Sequence, residues 1–238
     1  MVRRAALLSC SRWQREMAVA YNAGMTLNLK RPALKQPALK RPRLATASGQ
    51  CSPSPLKLTL ADYEHMVNLG AFEWLRERRI ELIRGEIREM MAPNPPHSLV
   101  VSNLNTWSHK YVPIDEVIIR VQDPVGIPEL DSAPQPDIAW VRRRDYSKRH
   151  PRSSDVLLIV EVSDATYRYD TGEKLELYAQ CGIKDYWVVN IREYRIEVFR
   201  KPRRGVYTEQ KSFDYESAVS PLAFPKIELP VERAFAVT

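Results

Sequence analysis

Residues 155 to 187 read Asp155-Val-Leu-Leu-Ile-Val-Glu161-Val-Ser-Asp-Ala-Thr-Tyr-Arg-Tyr-Asp170-Thr-Gly-Glu-Lys174-Leu-Glu-Leu-Tyr178-Ala-Gln-Cys-Gly182-Ile-Lys-Asp-Tyr186-Trp187. From Val156 to Val162 the run is apolar except for Glu161, the pattern of a strand covered on both faces. Leaving a carboxylate unpaired in such a place costs several kcal/mol, so Glu161 requires a metal ion, a cation or a cage of hydrogen-bond donors. The residues that follow predict a helix over 171–181. At about 100° per residue, Lys174, Leu177, Tyr178 and Cys181 share one side, and Glu173, Glu176 and Gln180 take the other. Asp170 or Thr171 can cap its start, and Gly182 can end it in a left-handed conformation. Lys174 therefore lies on the apolar face, where its amine either snorkels past a sheet edge or meets a buried partner such as Glu161.

Outward from this stretch, strands and helices continue to alternate. Tyr186 to Asn190 reads as a strand, and Tyr194–Arg200 with Gly205–Thr208 as a hairpin. Upstream, Gln135-Pro-Asp137-Ile-Ala-Trp-Val141 is a strand entered through proline, with Asp137 at its first residues. Val117 to Val121 is another strand, and Pro124 to Pro134 a loop. A helix is expected from His97 to Lys110, after a rigid bend at Pro93–Pro96. Arg84-Gly85 joins Ile80–Ile83 to Glu86–Met90 as a tight hairpin carrying Glu81, and Thr59 with Asp62 forms a capping box that opens a helix ending near Gly70. The result is an α/β (α+β) domain with a mixed sheet flanked by helices, and with too few βαβ repeats for a Rossmann or barrel fold.

Charge divides the chain in two. Residues 1–55 hold ten Lys or Arg and one acid, a net +9, which leaves −2 of the whole-chain +7 for residues 56–238. A general argument from basic charge to nucleic-acid binding therefore does not apply to the folded part. Within the extension, a Leu-Lys-x-Pro-x unit recurs every five residues from Leu29 to Leu44, which predicts a disordered or polyproline-like segment, more simply a plain unstructured extension than a basic arm for nonspecific phosphate contact. That extension would include sequence upstream of a true start at Met17 or Met25, and residues 1–25 are also Arg-rich and acid-poor in the manner of an organelle presequence. The apolar run Ala5–Leu8 is too short for a membrane span. Cys10, Cys51 and Cys181 lie far apart with no metal-site or disulfide spacing, which fits a reducing cytoplasm. Phosphate-binding glycine loops, nucleophile elbows and dinucleotide fingerprints are absent from the sequence.

Three acids fall on candidate strands: Glu81, Asp137 and Glu161. Acids brought together in a dry site repel one another, and a divalent cation with a preference for oxygen relieves that repulsion, with Mg²⁺ the first choice and Mn²⁺ the alternative. With an amine from Lys174 added, the set has the parts for phosphodiester hydrolysis.

The ordered residues Glu81-Leu-Ile-x-Gly85-Glu, Pro95-x-His97, Gln135-Pro-Asp137, Val160-Glu161-Val162-Ser163 and Asp170-x-x-x-Lys174-x-x-x-Tyr178-x-x-x-Gly182-Ile-x-x-Tyr186-Trp187 resemble the Uma-two family. That family is grouped with restriction endonucleases in the PD-(D/E)XK nuclease superfamily. The resemblance spans residues 57–210 and implies a restriction-endonuclease-like core over 56–238, acting as an endonuclease on DNA. It further implies that Asp137 and Glu161 are catalytic metal ligands, that Glu81 completes the metal shell, and that Lys174 replaces the usual motif lysine, where this chain has Ser163. His97, Asp170, Arg142 and Arg143 are candidate substrate contacts. A homodimer would suit cleavage of both strands. The alternatives are a noncatalytic nucleic-acid-binding or regulatory protein on the same fold, in which Glu161 and Lys174 form only a structural pair, and an interaction domain whose basic tail makes its contacts.

Overall fold

The computed structural model describes residues 54–76 and 78–237. The chain divides between Ser52 and Pro53 into two units, and the described residues belong to the second. The expected basic extension, residues 1–55, lies outside the described residues apart from its last two positions.

Thr59 caps α1 (Leu60–Asn68), and its side chain and that of Asp62 close the expected capping box. Strands β1 (Ile80–Ile83) and β2 (Glu86–Glu89) form the expected hairpin. Its turn places Arg84 at φ 52° and Gly85 at φ 79°, the pair of left-handed residues that a two-residue turn between twisted strands requires. Helix α2 (Pro95–Tyr111) begins two residues earlier than the sequence predicts. Asn94 caps it and both prolines sit in its first turn, where a missing N–H costs nothing.

Next come β3 (Val117–Val121), β4 (Ile138–Arg142) and β5 (Val156–Ser163). The single helix expected over 171–181 is instead two, α3 (Tyr167–Asp170) and α4 (Glu173–Gln180), broken at Gly172. A Cβ at Gly172 would lie 2.6 Å from the Arg168 carbonyl oxygen, so only glycine fits the break. Gly172, not Asp170 or Thr171, holds the N-cap position of α4. Gly182 follows α4 at φ 79°, as expected of a helix end. Strands β6 (Asp185–Asn190), β7 (Arg195–Arg203) and β8 (Val206–Phe213) follow, the last two extending the expected hairpin, and short β9 (Ala218–Val219), β10 (Leu229–Pro230) and α5 (Val231–Phe235) complete the chain.

The central mixed sheet runs β3-β4-β5-β6-β7-β8, antiparallel except for the parallel pair β5–β6. A parallel pair needs a crossover, and α3 with α4 supplies it. Alternation along the strands then sorts side chains into two layers. On one face Leu158, Val160, Val162, Trp187 and Val189 pack with Val100, Leu104 and Trp107 of α2. On the other, Ile159, Tyr186 and Val188 pack with Leu177 and Tyr178 of α4. Glu161 belongs to this second face. No helix among the described residues is long and apolar enough to cross a membrane.

Trp140 anchors the first layer: it is fully buried, stacks on Trp107 at 5.5 Å and donates its ring N–H to Ser108 Oγ at 3.0 Å. Trp140→Ala should cost about 3–5 kcal/mol, and Trp140→Phe about 1–3 kcal/mol through the lost hydrogen bond and the Ser108 partner left behind. Urea denaturation measures both, and an unchanged midpoint for the alanine variant would refute this account of the core.

Candidate active site

Asp137 immediately precedes β4, and Glu161 lies near the end of β5. The antiparallel register pairs Ile138 with Val160, which sets the two acids side by side at one end of the sheet. The Asp137 backbone N–H reaches Glu161 Oε2 at 3.4 Å. Asp137 is held from three directions. Val162 N–H donates to Oδ2 at 2.8 Å, His97 Nε2 lies 3.1 Å from Oδ2, and Gln122 Nε2 donates to Oδ1 at 3.1 Å.

Glu161 Oε1 accepts from Lys174 Nζ at 3.0 Å and from the Tyr178 hydroxyl at 2.9 Å. Lys174 and Tyr178 are one helical turn apart on α4, so both face the strand. Among the described residues the long contact from Asp137 N–H is the only hydrogen bond to Oε2. Lys174 Nζ also lies 3.5 Å from Glu81 Oε2. Glu81 in turn accepts from the Tyr169 hydroxyl at 3.1 Å and from the Gln135 N–H at 3.2 Å. Asp170 Oδ2 accepts from Ser163 Oγ at 2.6 Å and Thr166 Oγ1 at 2.7 Å.

Burial pushes the Glu161 carboxyl up to about 8, against the pull of Lys174 and helped by the charges of Asp170, Asp137 and Glu81. Burial alone would lower Lys174, but Glu161, Glu81 and Asp170 outweigh it and hold the ammonium charged. A charged lysine is the stable arrangement because three acids surround it, while burial, with the surplus negative charge adding to it, keeps Glu161 high. Asp137 behaves oppositely: its burial is overcome by the hydrogen bond and charge of His97 and by the Val162 and Gln122 donors, which lower it. His97 is raised, since Asp137 outweighs its burial, so the two partners agree on an ion pair.

Six of the residues singled out from the sequence, Glu81, His97, Asp137, Glu161, Asp170 and Lys174, line one pocket of about 320 Å³. Arg142 and Arg143 do not. They sit at the opposite end of β4, about 16 Å along the strand from Asp137, and Arg143 donates to the Ile114 and Val117 carbonyls. A substrate contact at this pocket cannot come from them. Residues that sequence reading missed here are Gln122, Tyr169 and Tyr178. The spacing of Tyr178 from Lys174 carried the signal, although the tyrosine read as core, which it also is. Nothing in the sequence marked Gln122 or Tyr169.

The pocket's carboxyl groups, Glu81, Glu89, Asp137, Glu161, Asp164 and Asp170, outnumber the basic Arg79, Arg88, His97 and Lys174. Among the described residues no group of three or more His, Cys, Asp or Glu is arranged to hold a metal ion by itself. Asp137 and Glu161 still fit Mg²⁺ or Mn²⁺. They present hard oxygen donors side by side, with Glu161 Oε2 nearly free of other bonds, and Mg²⁺ is ordinarily held by one or two carboxylates with water and phosphate completing the shell. Glu81 is turned toward Lys174, Tyr169 and Gln135 N–H.

Residues 64–232 match the model of the Uma2 family, described as "Putative restriction endonuclease". Among solved structures, the chain is similar to the crystal structure of a "putative nuclease belonging to DUF820" from Anabaena variabilis ATCC 29413. The TM-score is 0.58 at 17% identity, covering 75% of this chain and 97% of that one. At that identity the likeness is one of fold. The comparison with curated proteins finds no match.

The raised Glu161 carboxyl has a consequence for stability. Unfolded chains release this proton near the ordinary value of 4.5 and the folded chain near 8. Between those values the folded state binds more protons, so stability from this group falls as pH rises. Glu161→Gln should flatten the decline in Tm between pH 5 and 8 by several degrees, given about 2–4 °C per kcal/mol in a domain of this size. Calorimetry across that range tests it, and equal slopes in both proteins would mean that Glu161 is ionised throughout.

Proposed function

The chain belongs to the Uma2 family, and from that membership we propose that it is a divalent-cation-dependent nuclease hydrolysing DNA phosphodiester bonds. The observation that carries the reading is the convergence of Asp137, Glu161 and the Lys174 ammonium, 3.0 Å from Glu161, in one pocket. Asp137 and Glu161 would hold Mg²⁺ or Mn²⁺, with Glu81 adjoining the shell through Lys174. When bound, the cation supplies charge to polarise the phosphate and to activate water.

The chain's own groups supply the rest. Val162 N–H and His97 hold Asp137 Oδ2 and keep the carboxylate ionised, ready to accept a cation. Lys174 stays protonated between Glu161 and Glu81 and offers its remaining N–H donor to charge developing on the phosphate. His97, tied to Asp137 at the pocket wall, and Asp170, whose carboxylate is bound to the Ser163 and Thr166 hydroxyls, border the space a substrate would enter. Residues 1–55, net +9, would add sequence-independent contacts to DNA phosphates. The reading assigns the protein to the cytoplasm, where Mg²⁺ is available, and a homodimer would let two such sites cut both strands.

The second reading, a noncatalytic nucleic-acid-binding or regulatory protein on the same fold, draws on the 3.0 Å Lys174–Glu161 contact, which gives both groups a partner without a metal. Metal titration separates the two. The nuclease reading expects Mn²⁺ uptake that Asp137→Asn abolishes, and plasmid cleavage at low salt that Lys174→Met lowers by about 10²–10⁴-fold while metal uptake persists. Equal cleavage by wild type and both variants would discard these roles, and absence of Mn²⁺ uptake by the wild type would favour the second reading.

A further inference from the structure

Gln122 follows the last residue of β3 with φ at +56°, a left-handed conformation that a side chain with a Cβ adopts at a cost. Arg76, Arg84, Asp131, Tyr194, Lys201 and Arg204 also have positive φ. Arg84 and Arg204 lie in tight hairpin turns that demand it, Arg76 and Asp131 each close a short 3-10 helix, Tyr194 lies in the turn before β7, and Lys201 lies within β7. No such turn follows β3. Its last residue Val121 pairs with Ile138, so Gln122 arrives beside Asp137 at the pocket end of the sheet.

The backbone is clamped there. Gln122 N–H is shared between the carbonyls of Pro136 and Asp137, each at 3.1 Å, and its own carbonyl accepts from Arg79 Nη2 at 3.4 Å. The side-chain amide then donates to Asp137 Oδ1 at 3.1 Å. That is the oxygen not engaged by Val162 and His97, both of which meet Oδ2. Strain that persists where a side chain is aimed at a functional carboxylate points to a requirement for that aim.

We propose that Gln122 is a positioning residue. Its amide fixes the orientation of Asp137 toward the pocket, and the strained backbone is kept because it delivers the amide to Oδ1. The inference rests on the reading of Asp137 as a cation ligand. It separates stability from function: glycine at this position relaxes the backbone and removes the amide at once, whereas methionine keeps the length and the strain and removes only the amide.

Mn²⁺ titration calorimetry and thermal melting of the full chain provide the test. Gln122→Gly should melt at or above the wild-type temperature yet bind Mn²⁺ about 10–100-fold more weakly, the usual effect of losing a group that orients a metal ligand. Gln122→Met should show the same loss of affinity without a gain in melting temperature. Wild-type affinity in both variants overturns the proposal, as does a loss of affinity in Gln122→Gly that accompanies a lower melting temperature. A wild-type protein that takes up no Mn²⁺ overturns the cation reading itself, and the role of Gln122 with it.

Discussion

The contact between Glu161 and the Lys174 ammonium is the constraint around which this half of the molecule is arranged. Both residues are 3% exposed, and removing either would leave a buried polar partner without its nearest contact, which typically costs about 1–3 kcal/mol. The pair also dictates topology. Glu161 is on a central strand, so its cation must come from an element covering that face of the sheet. The parallel β5–β6 connection places α4 there. Tyr178, one turn further along α4, fills the second acceptor position on the same oxygen.

The two faces of the sheet divide the labour. The face beneath α2 is apolar, with Trp107, Trp140 and Trp187 in one core, and it contributes most of the burial that stabilises the domain. The opposite face tolerates polar groups at the strand ends because each has donors or counter-charges near it. Asp170 takes two hydroxyls, Glu81 takes a hydroxyl and a backbone N–H, and Asp137 takes three donors. Yet acids still outnumber bases in the pocket. In the proposed function the missing positive charge is a divalent cation, which would also let a phosphate approach a surface that otherwise repels it.

Much of this was legible in the sequence, for identifiable reasons. Glu161 was visible because a lone acid in an apolar strand breaks a pattern, and Lys174 because helical periodicity places it among apolar residues. The hairpin turn at Arg84-Gly85 and the Thr59 cap were visible because their chemistry is local. The break at Gly172 was not, since the pattern on either side continues in helical phase and the reason for the break is a close backbone approach to Arg168. Gln122 was hidden because its role depends on a β3–β4 register and a left-handed backbone that no local motif announces. Arg142 and Arg143 misled because adjacency in sequence to two acidic motifs implied adjacency in space, whereas a five-residue strand carries them to the other end of the sheet.

Ser163 helps to set the direction of the helix-borne Lys174. Position 163 is two residues after Glu161, so its side chain projects on the same face. A lysine there would compete with Lys174 for the same acids. Serine instead donates to Asp170 at 2.6 Å, and the Tyr186 hydroxyl donates to the Asp170 carbonyl at 2.8 Å. These two bonds tie the end of α3 to β5 and β6 just before the Gly172 break. The first turn of α4 therefore starts from a fixed point, and Lys174, its second residue, is aimed at Glu161 with the help of these bonds.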